Sequence, residues 1–421
     1  MKTLWTSTLS FPPAVRLLMA NQFAINLAFY MLMPYLAAHL AGELGLAAWA
    51  VGLVLGVRNF SQQGMFLIGG TVADRYGYKA SIMAGCLLRT AGFALLGVVD
   101  SLPVLVIASA ATGFAGALFN PAVRAYLAAE AGEERRVEAF ATFNVYYQAG
   151  ILAGPLVGLA LLAADFRLVC LVAAGIFAAL TVLQGRSLPA RRGAGSARRG
   201  DRVLAQWRTV VANRPFLLFS LAMIGSYLLT FQVYLALPLA AGDAFGKAGT
   251  KATSLLFVLS AAVAIAGQLR LTGWAKRRWS GEQALVRGLA VLGLAFAPLA
   301  LVAASGKAVP GAVALAALGA GVIALSAGSA VVYPFEMDTV VSLSGNRLVA
   351  THYGLYNTIS GIGITLGNLA TGALWDYAQQ HRMLWLLWTA LSLTGGACAG
   401  AVLALARTGR LAARAAQPAL A

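Results

Sequence analysis

Charged residues are scarce in this sequence, and acidic residues are the scarcest of them. Among 421 residues there are 14 Asp and Glu against 31 Lys and Arg; charged residues make up 11% of the chain and hydrophobic residues 60%. About a quarter of an ordinary soluble domain is charged, so this composition excludes one. The excess of positive charge could indicate a nucleic-acid partner, but a membrane protein accounts for it better.

Cysteine and histidine are rare as well, with three of each. Cys86, Cys170 and Cys398 lie in apolar stretches without paired spacing, and we interpret them as buried thiols rather than a disulfide or metal framework. The histidines are dispersed, and no nucleophile constellation accompanies them. We therefore expect no catalytic residue, no metal site and no cofactor, which argues against a membrane enzyme.

Long apolar runs are abundant. A membrane-spanning helix needs about 20 mostly apolar residues, and these runs are too long for the alternating strands of a membrane barrel. The sequence predicts an all-α membrane protein with about twelve spans. The predicted spans are 15–40, 47–69, 80–99, 103–128, 138–163, 167–185, 214–241, 251–272, 284–304, 310–333, 348–375 and 383–406.

Most lysines and arginines fall in loops and tails that this topology places on the cytoplasmic side. This bias is the positive-inside pattern, and it predicts that both termini are cytoplasmic. We expect a multi-pass protein of the bacterial inner membrane whose positive charge contacts lipid headgroups, not nucleic acid. The first run has no small-residue cleavage site, so we interpret it as a retained helix rather than a signal peptide.

An arginine-rich stretch, 186–213, separates two predicted six-helix bundles, 1–185 and 214–421. Gly193, Gly195 and Gly200 predict that the stretch is flexible in its first part. Asp201 is the predicted N-cap of a short amphipathic helix that could lie on the cytoplasmic leaflet; a plain solvated linker is the alternative. The predicted apolar face of this helix comprises Val203, Leu204, Trp207, Val210 and Val211.

The two halves resemble each other in sequence. Span 1 has polar residues and a proline at four-residue spacing from Gln22 to Pro34, and span 7 repeats that spacing from Ser226 to Pro238. Residues at this spacing share one helix face. Two parallel six-helix repeats with a site between them near the bilayer midplane are a transporter architecture.

A motif lies between spans 2 and 3, reading Gly69-Gly70-Thr71-Val72-Ala73-Asp74-Arg75-Tyr76-Gly77-Tyr78-Lys79. Glycines permit close helix approach, and a carboxylate there can face the positive amino end of a neighbouring helix. The stretch resembles the loop signature of the major facilitator superfamily, Gly-x-x-x-Asp-Arg-x-Gly-Arg-Lys, with Tyr78 in place of the usual Arg. The resemblance implies the major facilitator fold, with 12 transmembrane helices in two pseudo-symmetric six-helix bundles, alternating access, and a loop that latches the outward-facing state. The residues that it assigns to gating are Gly70, Asp74, Arg75, Gly77 and Lys79.

Span 5 carries a second motif, with Gly150, Gly154, Pro155 and Gly158. It resembles the Gly-x-x-x-Gly-Pro-x-x-Gly signature of the drug:proton antiporters of that superfamily, and a generic packing face is the alternative. Stretches 55–64, 88–93 and 165–170 are similar to the MdtH-type multidrug-resistance exporters. Bacterial siderophore exporters of the alcaligin type are related to these exporters, and the sequence does not separate the two substrate classes.

Several polar residues lie inside predicted spans, where a charge costs from about 3 to more than about 10 kcal/mol. We predict that Arg58 faces the central cavity and binds an anionic group or a helix carboxyl end; the alternative is a structural Arg that caps carbonyls. Arg124 either faces the cavity or snorkels, and we interpret Arg89 and Arg270 as structural. Aromatic and neutral hydrogen-bonding side chains in a cavity suit amphipathic organic solutes, although they could also join helices. The neutral cavity candidates are Asn26, Tyr30, Tyr147, Gln148, Tyr234, Tyr356 and Asn357.

Glu336 and Asp338 are the carboxylates that we place at membrane depth in the second half. A proton-coupled exporter needs a group that alternates between protonated and charged, and a partly desolvated carboxylate suits this role. Glu336 is the first candidate; a cytoplasmic-loop carboxylate that balances Arg347 is the alternative. The absence of an acid in span 1, and Ser109 where many antiporters carry an Arg, weigh against proton coupling.

The sequence predicts a non-enzymatic exporter of small amphipathic organic molecules, either drug-like compounds or a siderophore, in exchange for protons. Uptake or facilitated diffusion of a small metabolite on the same fold is the alternative. We expect a monomer in the lipid bilayer with a small-molecule substrate.

Overall fold

Helices account for the regular secondary structure of this computed structural model, which describes residues 2–192, 202–305 and 310–411. Within those ranges there is no strand. The helices of the first half are α1 (Lys2–Leu9), α2 (Pro13–Gly42), α3 (Ala48–Gln63), α4 (Phe66–Tyr76), α5 (Tyr78–Val98), α6 (Leu102–Ala131), α7 (Arg136–Leu162) and α8 (Phe166–Ser187). The helices that follow are α9 (Val203–Val211), α10 (Arg214–Ala222), α11 (Ile224–Phe231), α12 (Ala236–Phe245), α13 (Gly249–Arg278), α14 (Gly281–Leu294), α15 (Ala297–Ala304), α16 (Gly311–Ser344), α17 (Val349–Gln380) and α18 (Leu384–Arg407).

Ten helical segments in the described ranges are long and apolar enough to cross a membrane. The all-helical prediction is confirmed, while the count of twelve is not reached by this measure. Predicted span 2 is divided between α3 and α4 at Gly64 and Met65. Predicted span 11 corresponds to α17, which has sufficient length but is less apolar than the ten.

Two further spans predicted as continuous are broken. Span 7 consists of α10, α11 and α12, and Leu235 leaves the helical region with φ −128° and ψ −75°. Span 9 consists of α14 and α15. In each case a proline, Pro238 or Pro298, lies in the first turn of the helix that follows the break, where its missing N–H costs no internal hydrogen bond.

The chain packs into two units. The first comprises Met1–Asn213 together with Val340–Thr358, and the second comprises Arg214–Thr339 together with Ile359–Ala421. In the first unit α2 lies along α7, α3 packs on α6, and α5 packs between α6 and α8. In the second unit α14 packs on α18, where Phe296 stacks on Trp388 with ring centroids 6.2 Å apart. The predicted bundles, 1–185 and 214–421, divide the chain by sequence order, whereas these units group residues by contact. The two-bundle division therefore stays a prediction.

The predicted short helix of the linker is present as α9. Arg202 occupies its N-cap position. The predicted N-cap Asp201 and the stretch predicted to be flexible, with Gly193, Gly195 and Gly200, lie outside the described residues. Within the first unit, Trp207 Nε1 donates a hydrogen bond to Thr71 Oγ1 at 2.8 Å, and Val210 is buried. The predicted apolar face is therefore divided, because Val203, Leu204 and Val211 are exposed.

Candidate transport site

The carboxylate of Asp74 is buried at the amino end of α17, within the first unit. Its Oδ1 accepts a hydrogen bond from the backbone N–H of Ala350 at 3.2 Å. Its Oδ2 accepts one from the backbone N–H of Thr351 and one from the Thr351 hydroxyl, both at 2.7 Å. Burial raises the pKa of Asp74 to about 6, against the opposing effect of the hydrogen bonds from Thr351 and Ala350. The negative charge thus meets the positive end of a helix dipole.

Two successive glycines let α4 approach two different helices. A Cβ on Gly69 would overlap the carbonyl of Ala117 in α6, and a Cβ on Gly70 would overlap the carbonyl of Ala350 in α17. Gly354 on α17 faces back toward α4, since its Cβ would overlap the carbonyl oxygen of Phe66. These contacts hold Asp74 within reach of the α17 amides.

The turn after Asp74 contains a glycine with a positive φ angle. Gly77 adopts φ +98° between α4 and α5, a conformation that costs other residues energy. Lys79 Nζ donates to the carbonyl of Gly185 at 2.8 Å, and Arg75 is partly exposed. Tyr78, which replaces the usual Arg of the family, is buried with its ring centroid 6.2 Å from that of Tyr126. The substitution therefore adds packing at this position instead of charge.

The second motif places the glycine face of α7 on α2. A Cβ on Gly150 would lie 2.6 Å from the Phe23 carbonyl oxygen, and one on Gly158 would overlap the Met31 carbonyl. A Cβ on Gly154 would lie 2.7 Å from the Cβ of Tyr30. The Tyr35 hydroxyl donates to the carbonyl of Pro155 at 2.7 Å. The described contacts of this motif are those of a close packing face.

The polar residues of α2 and α7 are partly engaged in joining these helices. Asn26 Nδ2 donates to the carbonyl of Tyr147 at 2.9 Å, and Asn26 Oδ1 accepts from Gln22 at 3.2 Å. Asn26 is buried, whereas Tyr30, Tyr147 and Gln148 are partly exposed. The contacts of Asn26 favour the helix-joining interpretation for that residue.

Four further cavity candidates differ in exposure and in partners. Arg124 donates a hydrogen bond from Nη1 to Asn357 Oδ1 at 2.8 Å, inside the first unit. Tyr356 is fully buried. Tyr234 belongs to the second unit, is 54% exposed, and lies between the rings of Phe231 and Phe257 at centroid distances of 5.7 and 5.5 Å. The Arg124–Asn357 hydrogen bond joins two of the predicted cavity side chains directly.

Arg58 and Arg89 lie against the same aromatic ring, an arrangement that the sequence interpretation missed. The guanidinium carbons of Arg58 and Arg89 are 4.6 and 4.9 Å from the ring centroid of Phe29. Arg58 also donates to Asn59 Oδ1 and Gln62 Oε1, both at 2.8 Å. The sequence alone predicts a structural role for Arg89 and does not show that its side chain reaches the ring that Arg58 contacts.

Glu336 and Asp338 are inside a helix and not in a loop. Helix α16 continues through Pro334 to Ser344, beyond the predicted span end at 333, so both carboxylates belong to the helix; their role in proton coupling stays a prediction. Glu336 is 2% exposed within the second unit. In the described part of the chain, no group of His, Cys, Asp and Glu is arranged to hold a metal ion.

The sequence profile of the Major Facilitator Superfamily matches residues 18–368. The chain belongs to the major facilitator superfamily. It is 57% identical over 380 residues to the uncharacterized MFS-type transporter Rv0849 of Mycobacterium tuberculosis, with 90% of each chain covered. It is 29% identical over 378 residues to the multidrug resistance protein MdtH of Salmonella arizonae, again with 90% of each covered.

A solved structure has the same fold. The human organic anion transporter MFSD10 superposes with a TM-score of 0.70, covering 93% of this chain and all of that one, at 16% identity. The superfamily membership and the transporter-named relatives indicate a transporter and not an enzyme. The resemblance to MdtH inferred from the sequence is confirmed, and this chain is a multi-pass membrane protein of a bacterial transporter family.

Proposed function

We propose that this transporter exports small amphipathic organic molecules from the cytoplasm by alternating access, in exchange for protons. The observation that carries the proposal is the 29% identity to a multidrug resistance protein along 90% of both chains. The resemblance of the α7 motif to the antiporter signature supports the same direction of transport. We place the protein in the bacterial inner membrane as a monomer, with both termini cytoplasmic.

Glu336 is the proposed proton-coupling residue. It is buried within α16, and carrying a charge at membrane depth is costly. A carboxylate there gains from binding a proton before the site changes access. A membrane potential of about 100 mV supplies about 2.3 kcal/mol per charge moved, and each pH unit adds about 1.4 kcal/mol. Asp338, partly exposed on the same helix, is the second candidate.

The gating role belongs to the loop of Gly70, Asp74, Arg75, Gly77 and Lys79. Its carboxylate holds the amino end of α17 through three hydrogen bonds. Alternating access requires two arrangements of the helices, and an interaction made in one arrangement biases the equilibrium toward it. We propose that the Asp74 contacts stabilise one access state.

Everted membrane vesicles test export and coupling together. An acid-inside pH gradient should drive uptake of an amphipathic dye, either fluorescein or rhodamine 123, into vesicles that contain the protein. Glu336→Gln should remove the response to the gradient, whereas the control Asp376→Asn, at an exposed carboxylate of the same unit, should transport as the wild type does. Dye movement that ignores the gradient would overturn proton coupling, and an unaltered Glu336→Gln would overturn the residue assignment.

The two candidate substrates are drug-like compounds and a siderophore. Deleting the gene and measuring siderophore in the medium and drug susceptibility separates the two. Less siderophore in the medium would indicate a siderophore exporter, while greater drug sensitivity would indicate a drug exporter. Substrate that accumulates inside intact cells on overexpression would instead establish uptake, the alternative function on this fold.

A further inference from the structure

Two guanidinium groups share one phenylalanine ring in the middle of the first unit. Phe29, Arg58 and Arg89 each lie near the midpoint of their helices, α2, α3 and α5. Phe177, near the midpoint of α8, lies on Arg89 at 5.3 Å from its guanidinium carbon. A Cβ on Gly116 of α6 would lie 3.1 Å from both Arg89 Nη2 and Gln62 Cδ. Gly116 thus leaves the space in which these side chains meet.

Neither arginine has an acidic partner among the described residues. Arg58 donates to the neutral amides of Asn59 and Gln62. Arg89 is 6% exposed, and its Nε has no hydrogen-bond partner in the described part of the chain. The described carboxylates of the first unit lie in turns or near helix ends, at Glu43, Asp74, Asp100, Glu130, Glu133, Glu134, Glu138 and Asp165.

A purely structural role explains this arrangement poorly. A structural arginine inside a membrane protein pairs with a carboxylate or caps backbone carbonyls, and Arg89 does neither among the described residues. The rings of Phe29 and Phe177 attract the two cations but carry no compensating charge. Two like charges at this depth raise each other's cost, and an anion bound beside them would lower it.

We propose that Arg58 and Arg89 form the anion-binding element of the transport site and that the transported molecule is an amphipathic aromatic anion, a carboxylate or a sulfonate. This proposal deepens the proposed function and rests on it for the direction of transport. Arg58 is partly exposed and contacts the anion, while Arg89, buried behind Phe29, contributes charge and holds the position of the ring. Exporting an anion in exchange for a proton moves positive charge inward twice, so a negative-inside potential drives both movements.

Binding to purified protein in lipid nanodiscs tests the charge preference without any gradient. Fluorescein and rhodamine 123 share a xanthene core and differ in the sign of their charge, and fluorescence anisotropy reports the Kd of each. The wild type should bind fluorescein more tightly than rhodamine 123. Arg58→Gln should weaken fluorescein binding by at least about tenfold, which corresponds to about 1.4 kcal/mol, without weakening rhodamine 123. Arg58→Lys should lose less fluorescein affinity than Arg58→Gln, because lysine keeps the positive charge.

Arg270→Gln is the matched control, since Arg270 is an exposed arginine within α13 of the second unit. It should bind both dyes as the wild type does. Equal wild-type affinity for the two dyes, or equal loss of fluorescein binding in Arg58→Gln and Arg270→Gln, would overturn the proposal. If Arg58→Gln does not purify as a folded protein, the wild-type preference and Arg58→Lys decide it.

The binding result and the vesicle result separate the two proposals. Arg58-dependent fluorescein binding with no gradient-driven transport would leave the anion site standing and remove proton-driven export. Gradient-driven transport of rhodamine 123 without fluorescein binding would leave proton-driven export standing and remove the anion site.

Discussion

The carboxylate of Asp74 receives both the backbone N–H and the side-chain hydroxyl of Thr351, each at 2.7 Å. These residues are 277 positions apart in the sequence, and both are buried. A hydrogen bond to an ionised group contributes about 1.5–3 kcal/mol, so this pair is a considerable part of what fixes the amino end of α17 on α4.

Thr351→Val should lower the thermal stability of the purified protein, because it removes the hydroxyl donor to Asp74 while keeping the shape of the side chain. The loss should correspond to about 1.5–3 kcal/mol in the free energy of unfolding. Thr351→Ser keeps the hydroxyl donor and should lose less stability than Thr351→Val. Unfolding followed by tryptophan fluorescence measures the difference, and equal midpoints for the two variants would contradict it.

The pKa of Asp74 predicts a dependence of stability on pH. Burial raises this pKa from 3.8 to about 6, so between these values the folded protein binds a proton that the unfolded chain does not. Stability of the wild type relative to Asp74→Asn should therefore rise as pH falls from about 6 to about 4, by up to about 1.4 kcal/mol per pH unit. Thermal unfolding of both proteins across this window measures the difference; a difference that falls or stays constant would contradict the assignment.

Gly158→Ala should destabilise the first unit, because the added methyl would overlap the Met31 carbonyl of α2. Overpacking of this kind costs about 1–3 kcal/mol. Gly175→Ala is the control, since a Cβ on Gly175 of α8 meets no atom within 4 Å. The midpoint of thermal unfolding should fall for the first variant and hold or rise for the second. If both variants unfold alike, α2 and α7 are not packed as described.

Single-cysteine labelling tests the proposed topology. In a background without native cysteines, Arg382→Cys, in the exposed turn between α17 and α18, should react with a membrane-impermeant maleimide added outside intact spheroplasts. Arg192→Cys, exposed after α8, should react only after the membrane is permeabilised. The opposite pattern would reverse the orientation inferred from the positive-inside bias.

The all-helical architecture could be predicted because bilayer thickness translates directly into the length of apolar runs. The breaks were harder to predict. Pro34, Pro121, Pro155 and Pro334 are accommodated inside continuous helices, whereas Pro238 follows a break, and the residue type alone does not distinguish these cases. Spans 1 and 7 therefore share the spacing of their polar residues but not their helix geometry, because α2 is continuous where span 7 is interrupted.

Side-chain partners could be predicted only where a motif names them. The sequence predicts that Asp74 can face the amino end of a neighbouring helix but does not identify that helix as α17, where Ala350 and Thr351 supply the donors. The position of Arg58 within its span predicts a buried charge, yet its relation to Arg89 depends on which faces of α3 and α5 turn toward Phe29. The sequence predicts that span 10 ends at 333, just before Pro334, whereas helix α16 continues through that proline and carries Glu336.

Gly69 and Gly70 restrict how this gene can change. Each occupies a position where any Cβ would overlap a backbone carbonyl, one on α6 and one on α17, and every other amino acid brings that atom. A missense change in either codon therefore displaces a neighbouring helix, whatever its polarity or size. Selection for a new substrate is therefore expected to act on side chains around the site, because any missense change at these two codons carries a packing cost.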